Sequence, residues 1–441
     1  MSQNKFKAPF GKYFLLANIF FVQLSSSFAQ ELLTLEKAIS YAMQNNFSIK
    51  IAKSDAEIAA KNNTIGNAGM LPNINATLGD NFTLTNIDQA FANGQEINRN
   101  NVKGNNLNAA VNLNWTLFDG LKMFATKSKL KKLEEIGELN FKQEVQEQIA
   151  QLMSQYYEIV KSKQQLKSIR ESMLLSEERV KIATNKFQLG ALSKMDMLQA
   201  KIDLNTLQAS LADQVKITKQ LQSQLNLLMG VNENLNFELE NDIPINPLNP
   251  SKVQNGVINN FAQKNIELKI EVSNYERKEI FSQFLPTLRA NLGYAYGRAQ
   301  SDAGFSLFNQ NYGLNAGFTF VLPLFNGLNT IREMRVNTIQ KNSNNLQLQL
   351  LQQQLSIQIN NAILDYDNAQ SKLKMELENI KLAEEFAELA MDRYRLAQAT
   401  SIEIREAQKT LEDAKTRLAN SKFEAKIAEI TLLKVKGELI R

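Results

Sequence analysis

Two stretches of this chain, from Leu121 to Leu189 and from Leu328 to Leu396, are dominated by helix formers and contain no proline. Each runs for about 69 residues, which at 1.5 Å per residue makes a helix of roughly 100 Å. A compact domain has no room for such a rod, so the fold must be elongated.

The two stretches also belong to a duplication. Phe187-Gln188-Leu189-Gly190 lines up with Tyr394-Arg395-Leu396-Ala397, and 394 − 187 = 207. The same offset pairs Asp119-Gly120 with Asn326-Gly327, Asp196 with Glu403, Ala200 with Ala407 and Gly230 with Gly437. Pro72 pairs with Pro286 at 286 − 72 = 214, which puts the length difference in the loop between each half's two strands. The halves meet in a linker, Asn241 to Pro250, where Pro244, Pro247 and Pro250 cluster.

Each half reads as a helix, two strands and two long helices, a mixed α/β fold that is mainly α. The first repeat is 30–240, with strands near 73–82 and 109–118 and a helical hairpin over 121–230. Its opening helix, capped by Thr34 and broken near Asn45-Asn46, is expected to reach Met70. The second repeat is 241–441, with strands near 287–298 and 312–323 and a hairpin over 328–437. In the strands, Val111, Leu113, Trp115 and Leu117 alternate with Asn112, Asn114 and Thr116, and Leu314, Ala316, Phe318 and Phe320 alternate with small or polar partners. One face is apolar and the other is wet. The returning helices carry a narrow apolar stripe, Leu204, Leu207, Leu211, Val215, Leu221, Leu225 and Leu228 in the first, as suits helices packed edge to edge in a tube. The run Leu346 to Ile359 briefly alternates with period two, but its length and context favour helix.

Residues 1–29 have the layout of a secretory signal peptide. Lys5, Lys7 and Lys12 precede an apolar stretch from Tyr13 to Leu24 and a small-residue site at Ser27-Phe28-Ala29, so the mature chain is expected to begin at Gln30. The apolar stretch is too short to span a bilayer. Without it the count falls from 50 to 50 − 3 = 47 basic residues against 45 acidic, a charge of +2 that argues against a nucleic-acid partner. The densest basic run, Lys127, Lys129, Lys131 and Lys132, is expected to be a solvated helix face. Cysteine and histidine are both absent. That excludes the commonest zinc ligands, the Ser/His and Cys/His nucleophile pairs and the usual general base near pH 7. No cofactor-binding loop and no catalytic constellation stands out, so the chain does not read as an enzyme.

Four strands with one apolar face suggest a membrane barrel, yet an open four-stranded sheet in lipid leaves its edges unsatisfied. Identical copies must then close the barrel. Two chains give eight strands and a filled interior, whereas three give twelve and an aqueous channel.

Leu71-Pro72 and Leu285-Pro286 before the strands, Leu117-Phe118-Asp119-Gly120 and Leu324-Phe325-Asn326-Gly327 after them, and the hairpin tips near Gly190 and Ala397 together resemble the TolC-like outer-membrane efflux family. The resemblance covers nearly all of the chain after residue 29. It implies a homotrimer with a 12-stranded transmembrane β-barrel in the outer membrane, continued by a 12-helix periplasmic α-barrel. It also implies a duct serving a tripartite efflux or type I secretion system, with a periplasmic adaptor and an inner-membrane pump as partners.

By the same resemblance, Phe187, Leu189, Gly190, Ala191, Leu192 and Ser193 form one adaptor-docking tip, and Tyr394, Leu396, Ala397, Gln398, Ala399 and Thr400 form the other. Ala397 stands where the family usually has glycine. Asp196, Glu403 and Glu406 would ring the periplasmic aperture, Tyr394 hydrogen-bonding to the acid at Asp196, while Ala399 replaces an arginine that usually helps hold the gate. Gly120 and Gly327 permit the strand-to-helix turn, with Asp119 and Asn326 as helix N-caps. A non-channel coiled-coil adaptor or scaffold would explain the helices but not the duplicated amphipathic strands. A hydrolase working with carboxylates alone would need a pocket that the sequence does not locate.

Overall fold

The computed structural model describes residues 32–232, 235–245, 260–303, 306–396 and 398–439. The expected signal peptide, Pro247 and Pro250 of the linker, and Ala397 lie outside the described residues. A two-residue strand β1 (Leu32–Leu33) leads into helices α1 (Leu35–Asn45) and α2 (Phe47–Asn62), followed by strands β2 (Asn73–Ala90) and β3 (Glu96–Asp119). Helices α3 (Lys122–Gln188) and α4 (Lys194–Met229) form the first long hairpin. After β4 (Glu238–Leu239), which pairs in parallel with β1, come α5 (Phe261–Phe281), β5 (Thr287–Ser301) and β6 (Phe308–Val321), then the second hairpin, α6 (Asn329–Arg395) and α7 (Ser401–Lys436).

The local chemistry explains most boundaries. Thr34 caps α1 by accepting from the Lys37 amide, and Asn46 ends α1 and caps α2 by accepting from the Ile49 amide at 3.0 Å. The helix expected to reach Met70 stops at Asn62. Residues 63–70 turn instead, with Gly69 at φ +82° and the Thr64 hydroxyl accepting from the Asn67 amide. The first two strands run well beyond 73–82 and 109–118, because the backbone ladder continues from Leu84 to Lys103 where both faces turn polar and alternation vanishes. The last strand stops at Val321, short of Pro323, which has no N–H to give a ladder.

The sheet is antiparallel in the order β2-β3-β5-β6, and the helices repeat that order. Near the sheet, α3 packs between α2 and α5, and α6 follows α5; further away, α3 packs between α4 and α7, and α6 follows α7. The α4 end abuts the α1–α2 junction, where the Asn46 amide donates to the Leu228 carbonyl at 2.7 Å. The molecule is therefore a slab four strands wide that continues as four lines of helix, with α6 on one free edge and α2 and α4 on the other.

The main core lies midway, where α1, α3, α4 and the segment around β4 meet around Leu152, Tyr156, Ile159, Val160, Leu225 and Met229. Tyr156 donates its hydroxyl to the Leu33 carbonyl at 2.9 Å, and burial pushes its ionisation up to about 12. Farther toward the hairpin ends, α6 and α7 meet through Ala383, Ala387, Ala390, Ala407 and Ala414, small side chains that let two long helices approach closely. The basic run is not simply solvated. Lys129 pairs with Glu279 and Lys132 with Glu271, both on α5, and Lys127 donates to Asn63. Among the described residues no helix is long and apolar enough to cross a membrane.

Candidate functional site

At the far ends of the hairpins the two turns are built alike. In the first, Gly190 takes φ +73°, and the Ala191 amide donates to the Lys186 carbonyl at 2.8 Å. Leu189 is 83% exposed, Phe187, Ala191 and Ser193 are also exposed, and Leu192 is half-buried. Ser193 caps α4, accepting from the Asp196 amide at 3.1 Å and donating to the Asp196 carboxylate at 2.6 Å. In the second, the Gln398 amide donates to the Arg393 carbonyl at 2.8 Å, and Thr400 caps α7 by accepting from the Glu403 amide at 3.2 Å. Leu396 is 69% exposed, Gln398 and Thr400 are exposed, and Ala399 is half-buried.

Tyr394 behaves differently from its neighbours. It is only 2% exposed, packed with Met391, Ile404 and Ala407, so it adds nothing to the exposed tip surface. Among the described residues it makes no hydrogen bond to Asp196, whose carboxylate is engaged by Ser193. The hairpin ends are cross-linked instead by Lys186, whose ammonium donates to the Tyr394 carbonyl at 2.6 Å and lies 4.4 Å from the centre of its ring, and by Glu178, which accepts from the Arg395 guanidinium at 2.8 Å. Glu403 and Glu406 are exposed one turn apart, and Glu403 lies 3.9 Å from Arg393.

Sequence reasoning missed a buried polar clasp one step further in. Arg179 on α3, 4% exposed, forms an ion pair with Asp203 on α4 and donates to Gln408 on α7 at 3.1 Å. Its trace in the sequence was an arginine in the register of Leu175 and Ile182, where the apolar stripe calls for a hydrophobe.

The sheet supplies the second half of the site. One face carries Leu288, Trp115–Ala290–Phe318, Leu113–Leu292–Ala316 and Val111–Tyr294–Leu314, ending at Ala109–Tyr296–Tyr312. Ile74, Leu78, Leu314, Phe318 and Phe320 are all well exposed, which in a lone chain leaves a large apolar patch facing water. From Leu288 to Tyr296 is about 26 Å along the strand, or about 20 Å across a bilayer at the usual tilt, close to the height of a barrel's lipid-facing band. The Tyr296–Tyr312 pair ends this apolar run, with Arg298 and Asp80 in the next row, and at the other end Trp115 stands one row inside Leu288–Phe320. The opposite face is polar and almost free of charge. Its rows read Asn73–Asn114–Asn291–Gly317, Asn75–Asn112–Gly293–Asn315 and Gly79–Asn108–Gly297–Asn311. The asparagines lean over the glycines: a Cβ on Gly293 would stand 2.6 Å from the Asn112 amide oxygen.

Where the sheet passes to the helices, Gly120 and Gly327 take φ +69° and +67°, and so, at +70° and +66°, do Leu121 and Leu328. These leucines occupy the N-cap positions expected for Asp119 and Asn326. Asp119 still serves α3, accepting from the Met123 amide at 2.9 Å. The Asn326 side-chain amide instead contacts the Thr330 hydroxyl and caps nothing.

The chain matches the family model described as outer membrane efflux protein over residues 38–231 and 254–438. It resembles the CmeC outer membrane channel of Campylobacter jejuni at a TM-score of 0.74 and 17% identity, over 92% of this chain and 86% of that one. For VceC of Vibrio cholerae the values are 0.73 and 16%, over 91% and 96%; for the open state of the Neisseria gonorrhoeae MtrE channel they are 0.72 and 15%, over 92% and 90%. No curated protein matches. At these identities the solved channels establish the fold, and the family match extends over both halves, including both hairpins and all four long strands. The chain belongs to the outer membrane efflux protein family, whose members are outer-membrane channels of the TolC-like type.

Proposed function

We propose that this protein is the outer-membrane exit duct of a tripartite efflux or type I secretion system, a passive homotrimeric conduit fed by an inner-membrane pump through a periplasmic adaptor. The observation that carries this reading is the pair of unfinished edges. Strand β6 ends the sheet on one side and β2 on the other, and the slab of helices ends on α6 and on α2 with α4. The free α6 edge is apolar along its length. Ile339 and Leu346 are exposed seven residues apart, as are Leu350, Ile357 and Leu364, and again Met375, Leu382, Leu389 and Leu396. That spacing is a coiled-coil seam awaiting a helix. The opposite edge exposes Ile51 and Ile58 on α2 and Met195, Leu198 and Ile202 on α4. A second copy supplies a matching partner for each edge, and three copies of the slab close a twelve-stranded barrel over twelve lines of helix.

In this arrangement the exposed tips around Leu189 and Leu396 face the periplasmic adaptor, and Asp196, Glu403 and Glu406 stand at the aperture as rings of negative charge. Gly190→Trp tests the docking, because a Cβ at Gly190 meets no atom within 4 Å and Gly190→Ala reproduces the strain of its positive φ without the bulk. Co-purification with the adaptor should be lost in Gly190→Trp and kept in Gly190→Ala, with the trimer intact in both. Equal co-purification would remove the tips from the interface.

A further inference from the structure

The polar face of the sheet carries almost no charge along most of its length, and its exceptions, Arg289 and Asp119, sit together at the end nearest the helices. Below the asparagine rows comes the row Thr116–Arg289–Thr319, and one row nearer the helices Asp119–Thr287–Val321 ends the face. Arg289 is exposed, and among the described residues its side chain makes no hydrogen bond and no ion pair. It opens onto a recess shared with Asp119, Lys122, Lys129 and Glu279. Lys129 is tied to Glu279, and the Asp119 carboxylate receives the Met123 amide. Among the described residues Arg289 and Lys122 are left as two cations in no ion pair, against the single Asp119 carboxylate, so each copy keeps a net positive charge at this level, and the neutral amides above offer no countercharge.

We infer that Arg289, repeated in each copy around the axis, forms an anion-attracting collar at the foot of the barrel. It makes the outer section of the duct favour anionic solutes, those bearing carboxylate or phosphate groups. The inference rests on the duct reading, since only closure into a tube gathers the arginines into a ring. A ring of like charges in a narrow passage with low-dielectric walls raises the local concentration of counter-ions and sets the sign of selectivity. The collar has the opposite sign to the acids at the tips, so the two ends of the passage act in series with contrary preferences.

Planar-bilayer reversal potentials under a KCl gradient separate the two. In a Glu403→Gln/Glu406→Gln protein the acidic end is weakened and the channel should prefer chloride. Adding Arg289→Gln should lower the chloride-to-potassium permeability ratio by about 2-fold or more, and Arg289→Lys should retain it; both effects should shrink in 1 M salt, where screening reaches only about 3 Å. Arg289 holds no other group in place, so these variants should fold. An unchanged ratio on adding Arg289→Gln would overturn the collar while leaving the duct in place. Absence of any ion current from the assembled protein would overturn the duct reading and the collar with it.

Discussion

The ammonium of Lys186 donates to the backbone carbonyl of Tyr394 at 2.6 Å while standing over the same residue's ring, so this side chain of the first hairpin grips the end of the second by two contacts at once. A charged hydrogen bond together with a cation–π contact is worth about 2 kcal/mol. Lys186→Met should therefore loosen the tips, speeding amide exchange around residues 185–196 and 394–404 by about 30-fold without changing exchange in the midway core. Uniform acceleration through the helices would indicate general destabilisation, and no acceleration would show that the grip contributes nothing.

The clasp at Arg179 makes a sharper prediction, because removing one partner leaves the other's charge uncompensated. Arg179→Met should cost about 3 kcal/mol in detergent unfolding experiments, and Arg179→Met/Asp203→Leu should regain most of it. Additive losses in the double variant would mean that the ion pair does not couple α3 to α4.

How much of this could be read beforehand depended on periodicity. The 207-residue register located both hairpins, both tips and both strand-to-helix turns, since Gly120, Gly190 and Gly327 each mark a place where the chain reverses or changes type. The extension of β2 and β3 was illegible because Thr85, Asn98 and their neighbours are polar on both faces, and a ladder of backbone hydrogen bonds leaves no trace in side-chain pattern. Leu121 and Leu328 in left-handed conformations were equally invisible, being fixed by the junction between sheet and helices rather than by residue type. Lys186 and Arg179 act through partners distant in sequence, which no local window brings together.

The two turn glycines should not be equally replaceable. A Cβ on Gly120 would stand 2.6 Å from the Ser282 carbonyl and 2.8 Å from the Leu285 Cβ, whereas one on Gly327 would meet only the Asn329 amide at 3.5 Å. Both substitutions meet left-handed strain of about 1 kcal/mol. Gly327→Ala should lose about that much in thermal unfolding of the assembled protein, and Gly120→Ala should lose more; equal losses would contradict the close packing at Ser282.

Acid should release one link between α3 and α7. The Lys434 ammonium, 2.6 Å from Glu147, holds that carboxyl below its ordinary value of 4.5, its hydrogen bond outweighing partial burial. A lowered folded value means that the stabilisation is complete above 4.5 and fades as pH falls through the depressed value. Wild type should therefore melt slightly higher than Glu147→Gln at neutral pH, and the gap should close in acid. A gap that widened in acid would reverse the assignment.

Closure of the unfinished sheet and slab by identical copies is what turns this chain into a duct. The most direct measurement is the protein mass of the detergent-extracted material, with bound detergent subtracted, by light scattering or native mass spectrometry. Three chains per particle is the predicted result; a single chain that stays monomeric in water without detergent would contradict it.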